Sequence, residues 1–222
     1  LGGDDFDNRI VDHLVDHIQR EYGINIAKDA TALRRLKEVS EDAKKELSQG
    51  PSTRISVPFL TTHNGEPVHL EIESLSRELM ESLIQEELER LKEPCEQALL
   101  DAGLSHDHID RVLLVGGMTR MPAVQRMVEE IFQQKPKKDM NPDQVVAMGA
   151  AIQASILAGD RSDAVLMDVT PHSLGIRVVD GKFSRVIGRN TRIPCRSKKT
   201  FAPADKDQDF VTLEVYQGEG AY

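Results

Sequence analysis

The stretch at residues 112–122 constrains the fold most, because it predicts a strand, a glycine turn and a helix in direct succession. Its first four residues are apolar, as in a fully buried strand. Gly116 and Gly117 then let the backbone turn sharply and approach a ligand without a Cβ in the way. Pro122 stands where a helix tolerates a missing N–H. This order aims free N–H groups and a positive helix end at an anion or a nucleotide, although a Gly-Gly turn alone often only reverses the chain.

Bulk composition excludes several classes of protein. The chain has 222 residues, of which 39% are hydrophobic, enough for one large domain or parts of two. Its formal net charge of −9 argues against a nucleic-acid partner. Its apolar runs are shorter than a membrane span, so we expect no membrane partner. The first residues do not resemble a signal peptide and contain no Met, and we expect an internal piece of a longer protein.

The first two thirds of the chain carry helical periodicity and one hairpin signal. Asp29 is a suitable N-cap for the second helix. Asn64–Gly65 between alternating apolar residues predicts a β-hairpin, in which Ile55, Val57 and Phe59 share one face of the first strand. We predict helices at about residues 5–22, 29–48, 76–101, 122 onward and 142–158. The third of these is expected to kink at Pro94, and its predicted inward face consists of Leu79, Leu83, Leu88, Leu91, Cys95 and Leu99.

The character of the sequence changes near Gly159. Beyond Thr170 the apolar residues alternate with period two, which predicts strands. Asp180–Gly181 predicts a second hairpin turn, and Val211, Leu213 and Val215 predict a further strand. An α/β part is therefore joined by a short linker to a β part.

Spacing alone offers two groups of polar residues as candidate binding sites. Glu41, Lys44, Lys45 and Ser48 share one face of the second helix, where a solvated face with an ion pair is the favoured interpretation. His13 and His17 lie four residues apart on the first helix, but no third ligand has suitable spacing. Cys95 and Cys195 also lack metal-type spacing. We expect no metal site and no catalytic acid, base or nucleophile.

Several motifs in one order resemble the DnaK family of heat-shock chaperones. The strand–Val-Gly-Gly-x-Thr-Arg-x-Pro pattern at residues 112–122 is similar to that family's adenosine-binding turn. Glu-Asp-Ala-Lys-Lys-Glu-Leu-Ser at residues 41–48 is similar to its adenine-side helix, and the Gly-Gly-Asp-Asp-Phe-Asp stretch at residues 2–7 matches the turn that begins its upper nucleotide lobe. Residues 163–176 resemble its apolar interdomain linker and first peptide-binding strand. The resemblance covers nearly the whole chain.

The resemblance implies a fold class and a domain order. It implies an α/β actin-like ATPase, present here as its second lobe, followed by a partial β-sandwich that binds peptides. The nucleotide lobe would span residues 1–159, with an upper subdomain at about 1–80 and a lower one at about 80–159. The linker would span residues 160–169, and the partial substrate-binding domain residues 170–222.

The resemblance also implies which residues contact the nucleotide. Lys45 stands where many members carry Arg, which stacks flat on a ring as Lys does not. Met118 replaces a small polar residue, and Gln144 and Val145 replace the usual Glu-Ala. Phosphate loops, catalytic groups and the ligands of Mg²⁺ would lie upstream, so we expect none of them here. The implied nucleotide-binding residues are Glu41, Lys44, Lys45, Ser48, Gly116, Gly117, Met118, Arg120 and Asp143.

Two further sets of residues follow from the resemblance. Val165, Leu166, Met167 and Asp168 would form a linker that docks in at least one state, since an inert tether would be polar. His172 replaces the family's usual Leu. The implied peptide-binding residues are Ile176, Val179, Phe201, Ala204, Val211 and Leu213.

The implied function is that of an ATP-dependent molecular chaperone in protein folding and the stress response. It would bind extended hydrophobic segments of unfolded proteins under allosteric control by ATP binding and hydrolysis. The cofactors would be ATP or ADP with Mg²⁺, and the partners client peptides, a J-domain co-chaperone and a nucleotide exchange factor. The expected location is the bacterial cytoplasm, or otherwise a mitochondrial or plastid matrix.

Two other functions remain open from the sequence. One is a non-chaperone actin-like protein, either a small-molecule kinase or a filament former, which would share the nucleotide lobe. The other is a peptide-binding module whose ATPase domain is degenerate. As a piece without the catalytic half, this chain alone is expected to show no ATPase activity.

Overall fold

A computed structural model describes residues 2–137, 141–160, 166–203 and 210–221. The chain divides into two compact units, Leu1–Gly149 and Ala150–Tyr222. Each unit is described by itself. Where the linker and the second domain begin and end stays a prediction.

Two helices and a hairpin form the first part of the Leu1–Gly149 unit. Asp29 caps the second helix, because its Oδ1 accepts from the backbone N–H groups of Thr31 and Ala32 at 3.1 and 3.0 Å. The two strands pair in antiparallel register around the predicted Asn64–Gly65 turn, which is confirmed. The elements are α1 Gly3–Tyr22, α2 Ala30–Leu47, β1 Ser52–His63 and β2 Glu66–Ser76.

The core of this unit lies between α1, α2 and the hairpin. The inward stripe of α1 is completely buried at Ile10, Leu14 and Ile18, as the helical periodicity predicts. Leu36 of α2 and Leu70 of β2 meet it and are also inaccessible to solvent. This packing fixes the ends of α1 and α2 relative to each other, and the candidate site lies at those ends.

Strand β1 departs from simple alternation near its middle. Val57 pairs with Leu70 and Thr61 pairs with Val68, so β1 accommodates two extra residues between these pairs. Phe59 adopts φ 53° and is 69% exposed, whereas Leu60 is buried in its place. The inward placement of Phe59 was therefore wrong, because a bulge resets which residues face the core.

The predicted long helix at residues 76–101 is three shorter helices. The first break is at Ile84, with φ −102° and ψ 12°, and the second is next to Arg90. Pro94 lies in the first turn of the last piece, where it removes no helical hydrogen bond, so the expected kink there was wrong. The helices are α3 Arg77–Leu83, α4 Gln85–Glu89 and α5 Lys92–Ala102.

The broken helix keeps only part of its predicted inward face, because Leu88 is buried as predicted but Leu79 is not. Met80, Ile84 and Leu88 are buried, and they follow one another at steps of four residues. Leu79, which the continuous helix placed inward, is 38% exposed. The Ser76 hydroxyl caps the Leu79 N–H at 3.1 Å and so sets where the helix begins.

The stretch at residues 112–115 is not the fully buried strand that its composition predicts. In the described part of the chain, its backbone pairs with another segment only through one isolated β-bridge, between Leu113 and Lys137. Val112 is buried, but Leu113 and Val115 are 51% and 46% exposed, because no sheet covers both faces. A short 3-10 turn Gly117–Arg120, α6 Pro122–Phe132 and α7 Val145–Ala158 follow.

The Ala150–Tyr222 unit is a small β structure. Its strands are β3 Asp168–Val169, β4 Leu174–Arg177, β5 Phe183–Ile187, β6 Arg192–Ile193 and β7 Val215–Gln217. Strand β4 lies between β5 and β7 in an antiparallel sheet, and β3 pairs with β6. A 3-10 turn Val179–Gly181 joins β4 to β5, which confirms the predicted hairpin.

The last predicted strand is shorter than its alternation suggests. Regular pairing begins only at Val215. Val211 and Leu213 precede it without strand geometry, and each is 64% exposed. Among the helices of the described ranges, none combines the length and apolar character that a membrane span requires.

Candidate functional site

One cavity of about 910 Å³ in the Leu1–Gly149 unit gathers most of the predicted nucleotide residues. Its wall combines the start of α1, the last turns of α2, the 3-10 turn after Gly116 and residues before α7. Eight of the nine predicted residues line it: Glu41, Lys44, Lys45, Ser48, Gly117, Met118, Arg120 and Asp143. The ninth, Gly116, directly precedes Gly117. Three segments far apart in sequence are thus brought together.

The α2 side of the cavity follows from helical spacing. Residues 41, 44, 45 and 48 fall at steps of three and four, so their side chains share one face. Lys45 Nζ lies 2.8 Å from Glu41 Oε1. Its hydrogen bond lowers the pKa of the Glu41 carboxyl and raises that of the Lys45 ammonium. Ser48 Oγ donates to the Lys44 carbonyl at 2.9 Å, and its lone pairs stay available to a ligand.

Lys44 reaches the cavity from a buried ion pair. Its Nζ lies 2.7 Å from Asp7 Oδ1 and donates to the Gly3 carbonyl at 3.2 Å. The contact with Oδ1 is Coulombic rather than a well-aligned hydrogen bond, since that oxygen has no hydrogen-bond partner of good geometry. Burial raises the pKa of the Asp7 carboxyl, and Lys44 offsets this only in part.

The two glycines of the turn differ in what they require. Gly116 adopts φ 87°, in the left-handed region that only glycine occupies without strain, and its N–H donates to the Pro142 carbonyl at 2.9 Å. Gly117 has an ordinary φ, and a Cβ there would lie 3.5 Å from Asp143 Oδ1, at ordinary contact distance. Gly116 therefore shapes the turn, whereas Gly117 keeps the cavity wall thin.

Arg120 is held by the segment before α7. Its Nη2 makes a short ion pair with Asp143 Oδ2 and donates to Asn141 Oδ1 at 3.2 Å. Asn141 Oδ1 also accepts from the Asp143 N–H at 3.0 Å, which fixes the two acceptors relative to each other. The guanidinium is half exposed beside the cavity, where its flat face is available for stacking.

Sequence reasoning missed several residues that build this site. Gly3, Gln49 and Gln125 also line the cavity. Gln125 Nε2 donates to the carbonyls of Thr119 and Arg120 at 2.8 and 3.3 Å, which closes the 3-10 turn onto α6. No motif marks Gln125, and its position one turn into the helix after Pro122 was the available signal.

The linker and peptide residues lie in the Ala150–Tyr222 unit and are not gathered in this way. Leu166 and Met167 are 65% and 67% exposed, and Asp168 is the first residue of β3. Val165 and Ala204 lie outside the described residues. Ile176 is half-buried in β4, while the other described members of the peptide-binding set lie outside strands and are exposed: Val179, Phe201, Val211 and Leu213.

The cavity of the Ala150–Tyr222 unit involves different residues. It measures about 510 Å³ and lies against Arg177, Phe183 and Tyr216. None of the described peptide-binding residues, which exclude Ala204, lines it. Within the described ranges, no group of three or more His, Cys, Asp or Glu side chains is arranged to hold a metal ion.

The family comparison decides the class of protein. A family model described as Hsp70 protein matches residues 1–222, the whole chain. The chain belongs to the Hsp70 family. Hsp70 proteins are ATP-dependent chaperones and ATPases with an actin-like fold, which bind ATP or ADP with Mg²⁺ and work with client peptides and co-chaperones. Membership in the Hsp70 family favours a chaperone over a non-chaperone actin-like protein.

Proposed function

We propose that this chain contributes the adenosine side of the nucleotide site in a DnaK-type Hsp70 chaperone. The observation that carries the proposal is the shared cavity, which eight residues chosen from sequence motifs line together. They come from α2, from the glycine turn and from the segment before α7. A volume of about 910 Å³ is within the range of small-molecule sites.

Each wall of the cavity has a chemical role in this proposal. Gly117 lets the backbone approach the nucleoside, and the Arg120 guanidinium offers a flat face to the base. Lys44 and Ser48 supply hydrogen-bonding groups for the sugar, with Glu41 beside them. These residues bind and orient the nucleotide, and we assign none of them a proton transfer.

Phosphate chemistry is assigned to no residue described here. Mg²⁺, when bound with ATP, neutralises phosphate charge, but the described residues hold no cluster of ligands for it. The cations that line the cavity are each paired with a carboxylate, which fits recognition of a neutral nucleoside better than of a triphosphate. We therefore propose that the water-activating groups lie elsewhere, and a degenerate ATPase domain stays an alternative.

The peptide-binding and allosteric parts of the function are proposals as well. Support comes from the exposed apolar pair Leu166–Met167, which an inert tether would not need, and from the alternating strand β4 that carries Ile176. We propose extended hydrophobic segments of unfolded proteins as clients, and a J-domain protein and an exchange factor as partners. The proposed location is the bacterial cytoplasm, otherwise an organelle matrix.

A pair of matched glycine substitutions tests the nucleotide assignment. Gly117 and Gly188 both have ordinary φ, and a Cβ at each meets its nearest atom at 3.5 and 3.7 Å. We expect Gly117→Ala to weaken ADP binding in calorimetry by about tenfold, which corresponds to about 1.4 kcal/mol, and Gly117→Val to weaken it further. Gly188→Ala should leave the affinity unchanged. Equal affinity in all four proteins would overturn the assignment.

A further inference from the structure

The Asp7–Lys44 pair is a buried charged group in the cavity wall for which nucleotide contact alone gives no reason. The two side chains are 3% and 9% exposed. A lysine elsewhere on the surface would extend its ammonium into water. Here Oδ1 of Asp7, one turn into α1, lies 2.7 Å from Lys44 Nζ. Lys44, near the end of α2, also lines the cavity.

The ammonium of Lys44 has two acceptors beside it, and its residue also lines the cavity. An ammonium has three N–H donors. The Gly3 carbonyl accepts from one of them at 3.2 Å, and Asp7 Oδ1 lies 2.7 Å from the ammonium as its charge partner. A Cβ at position 3 would lie 2.9 Å from Lys44 Nζ, so a larger residue there would require the ammonium to shift. Lys44 also lines the cavity, so an N–H that Gly3 does not accept can donate to a ligand there.

We propose that Asp7 is a positioning residue of the nucleotide site, which holds Lys44 so that its remaining N–H donates to a ribose hydroxyl. This inference rests on the proposed function. Because the Asp7 carboxylate balances the charge of the ammonium, the pair carries no net charge, which suits a neutral hydroxyl rather than a phosphate. Asp7 itself does not touch the ligand.

Three charged groups near Asp7 influence its pKa. Lys44 and Glu41 face it from α2, and Asp4 faces it from its own helix. Burial raises the pKa of Asp7, whereas the Lys45 hydrogen bond lowers that of Glu41. Protonated Asp7 no longer holds the ammonium, so adenosine affinity should fall as Asp7 takes up its proton.

A double-mutant cycle tests the proposal, with adenosine and ADP without Mg²⁺ as probes in calorimetry. We expect Asp7→Asn to weaken both probes by about tenfold and equally, since both carry the same ribose. In the Lys44→Met background, Asp7→Asn should cause no further loss. The double variant carries no unpaired buried charge, so it stays measurable if a single variant folds poorly, which circular dichroism checks.

The outcomes separate this inference from the proposed function. If the wild-type protein binds neither probe, the nucleotide site and the role of Asp7 are both wrong. If it binds them and Asp7→Asn binds as tightly, only the positioning role is wrong. A loss in Asp7→Asn that persists without Lys44, or a larger loss for ADP than for adenosine, would also overturn it. Asp7→Asn should abolish the fall in adenosine affinity that accompanies protonation of Asp7, and retention of that fall counts against Asp7.

Discussion

Lys45 Nζ lies 2.8 Å from Glu41 Oε1, one helical turn away on the face of α2 that lines the cavity. The neighbouring Lys44 pairs instead with Asp7 across to α1. Consecutive lysines on one helix thus have separate carboxylate partners, one exposed and one buried. Arg120 likewise pairs with Asp143. The cavity is lined by charges that cancel in pairs, which favours hydrogen bonding and stacking over attraction of an anion.

The first prediction concerns the Glu41–Lys45 pair. Lys45→Met removes the main cause of the lowered Glu41 pKa, so that pKa should rise towards its ordinary value. Carboxyl carbon shifts followed by NMR during a pH titration measure it. Because the folded-state pKa of Glu41 is lowered, the stability that this pair contributes is present above the unfolded-state pKa. It is lost as the pH falls through the folded-state pKa.

A similar pair elsewhere supplies the control. Lys92 Nζ lies 2.9 Å from Glu89 Oε2 and lowers the pKa of that carboxyl. Lys92→Met should therefore raise the Glu89 pKa and leave the Glu41 pKa unchanged. If Lys45→Met leaves Glu41 titrating as in the wild-type protein, the pair does not persist in solution.

A second prediction concerns the backbone of the glycine turn. Gly116 adopts φ 87°, so Gly116→Ala should cost about 1–2 kcal/mol of unfolding free energy, measured by urea denaturation. Gly117 has an ordinary φ, and a Cβ there would make an ordinary contact with Asp143, so Gly117→Ala should leave that free energy within about 0.5 kcal/mol of wild type. Equal destabilisation by the two substitutions would show that the turn does not need the left-handed residue.

Much of this site was predictable because its residues lie in short, regular segments. Helical spacing alone places Glu41, Lys44 and Ser48 on one face, and the motif at residues 112–122 supplies the turn. Asp7 and Gln125 were not predicted as site residues. Asp7 acts through a tertiary pair with Lys44, and Gln125 through hydrogen bonds to carbonyls of the turn. Contacts between distant segments leave no periodic signal in a sequence.

The fold was less predictable where periodicity is broken. The bulge in β1 exchanges Phe59 for Leu60 at the core, which an alternating pattern cannot anticipate. The break at Ile84 has no Gly or Pro to mark it, so the helix was continued through it. The stretch at residues 112–115 is apolar, but how far a strand is buried depends on neighbouring strands that its own residues do not reveal.

A third prediction tests the corrected helix face. Met80 is completely buried, so Met80→Ala should reduce the free energy of unfolding by about 2–5 kcal/mol. Leu79 is 38% exposed, and Leu79→Ala should cost less than about 1.5 kcal/mol. Urea denaturation of both variants measures the difference. A greater loss for Leu79→Ala would restore the continuous helix that its sequence suggested.

A fourth prediction concerns the cap of α2. Asp29 accepts two helical N–H groups through Oδ1 and the Thr61 hydroxyl through Oδ2 at 2.8 Å. Asp29→Ala should cost about 1 kcal/mol of unfolding free energy, whereas Thr61→Val removes only one of these bonds and should cost less.

The same cap should make stability depend on pH. The N–H of Ala32, followed by the Thr61 hydroxyl, lowers the pKa of Asp29. Its contribution is therefore full above the unfolded-state pKa and disappears as the pH falls through the folded-state pKa. Denaturation at neutral pH and at low pH should show the difference between wild type and Asp29→Ala shrinking in acid. A constant difference would mean that the charge of the cap contributes nothing.

The last prediction tests whether the residues before β3 transmit information between nucleotide and peptide. Leu166 and Met167 are 65% and 67% exposed. If these apolar side chains dock against the protein in one functional state, their burial stabilises that state. Leu166→Asp makes that docking unfavourable. We expect peptide to stop stimulating ATP hydrolysis in this variant, while ADP and peptide each bind as in the wild-type protein. Leu157→Asp, an exposed apolar position of α7 outside both the linker and the peptide-binding set, is the control and should retain stimulation. Retained stimulation in Leu166→Asp would reduce these residues to a spacer. Loss of stimulation in both variants would mean that exposed apolar residues in general, rather than docking of the linker, are responsible.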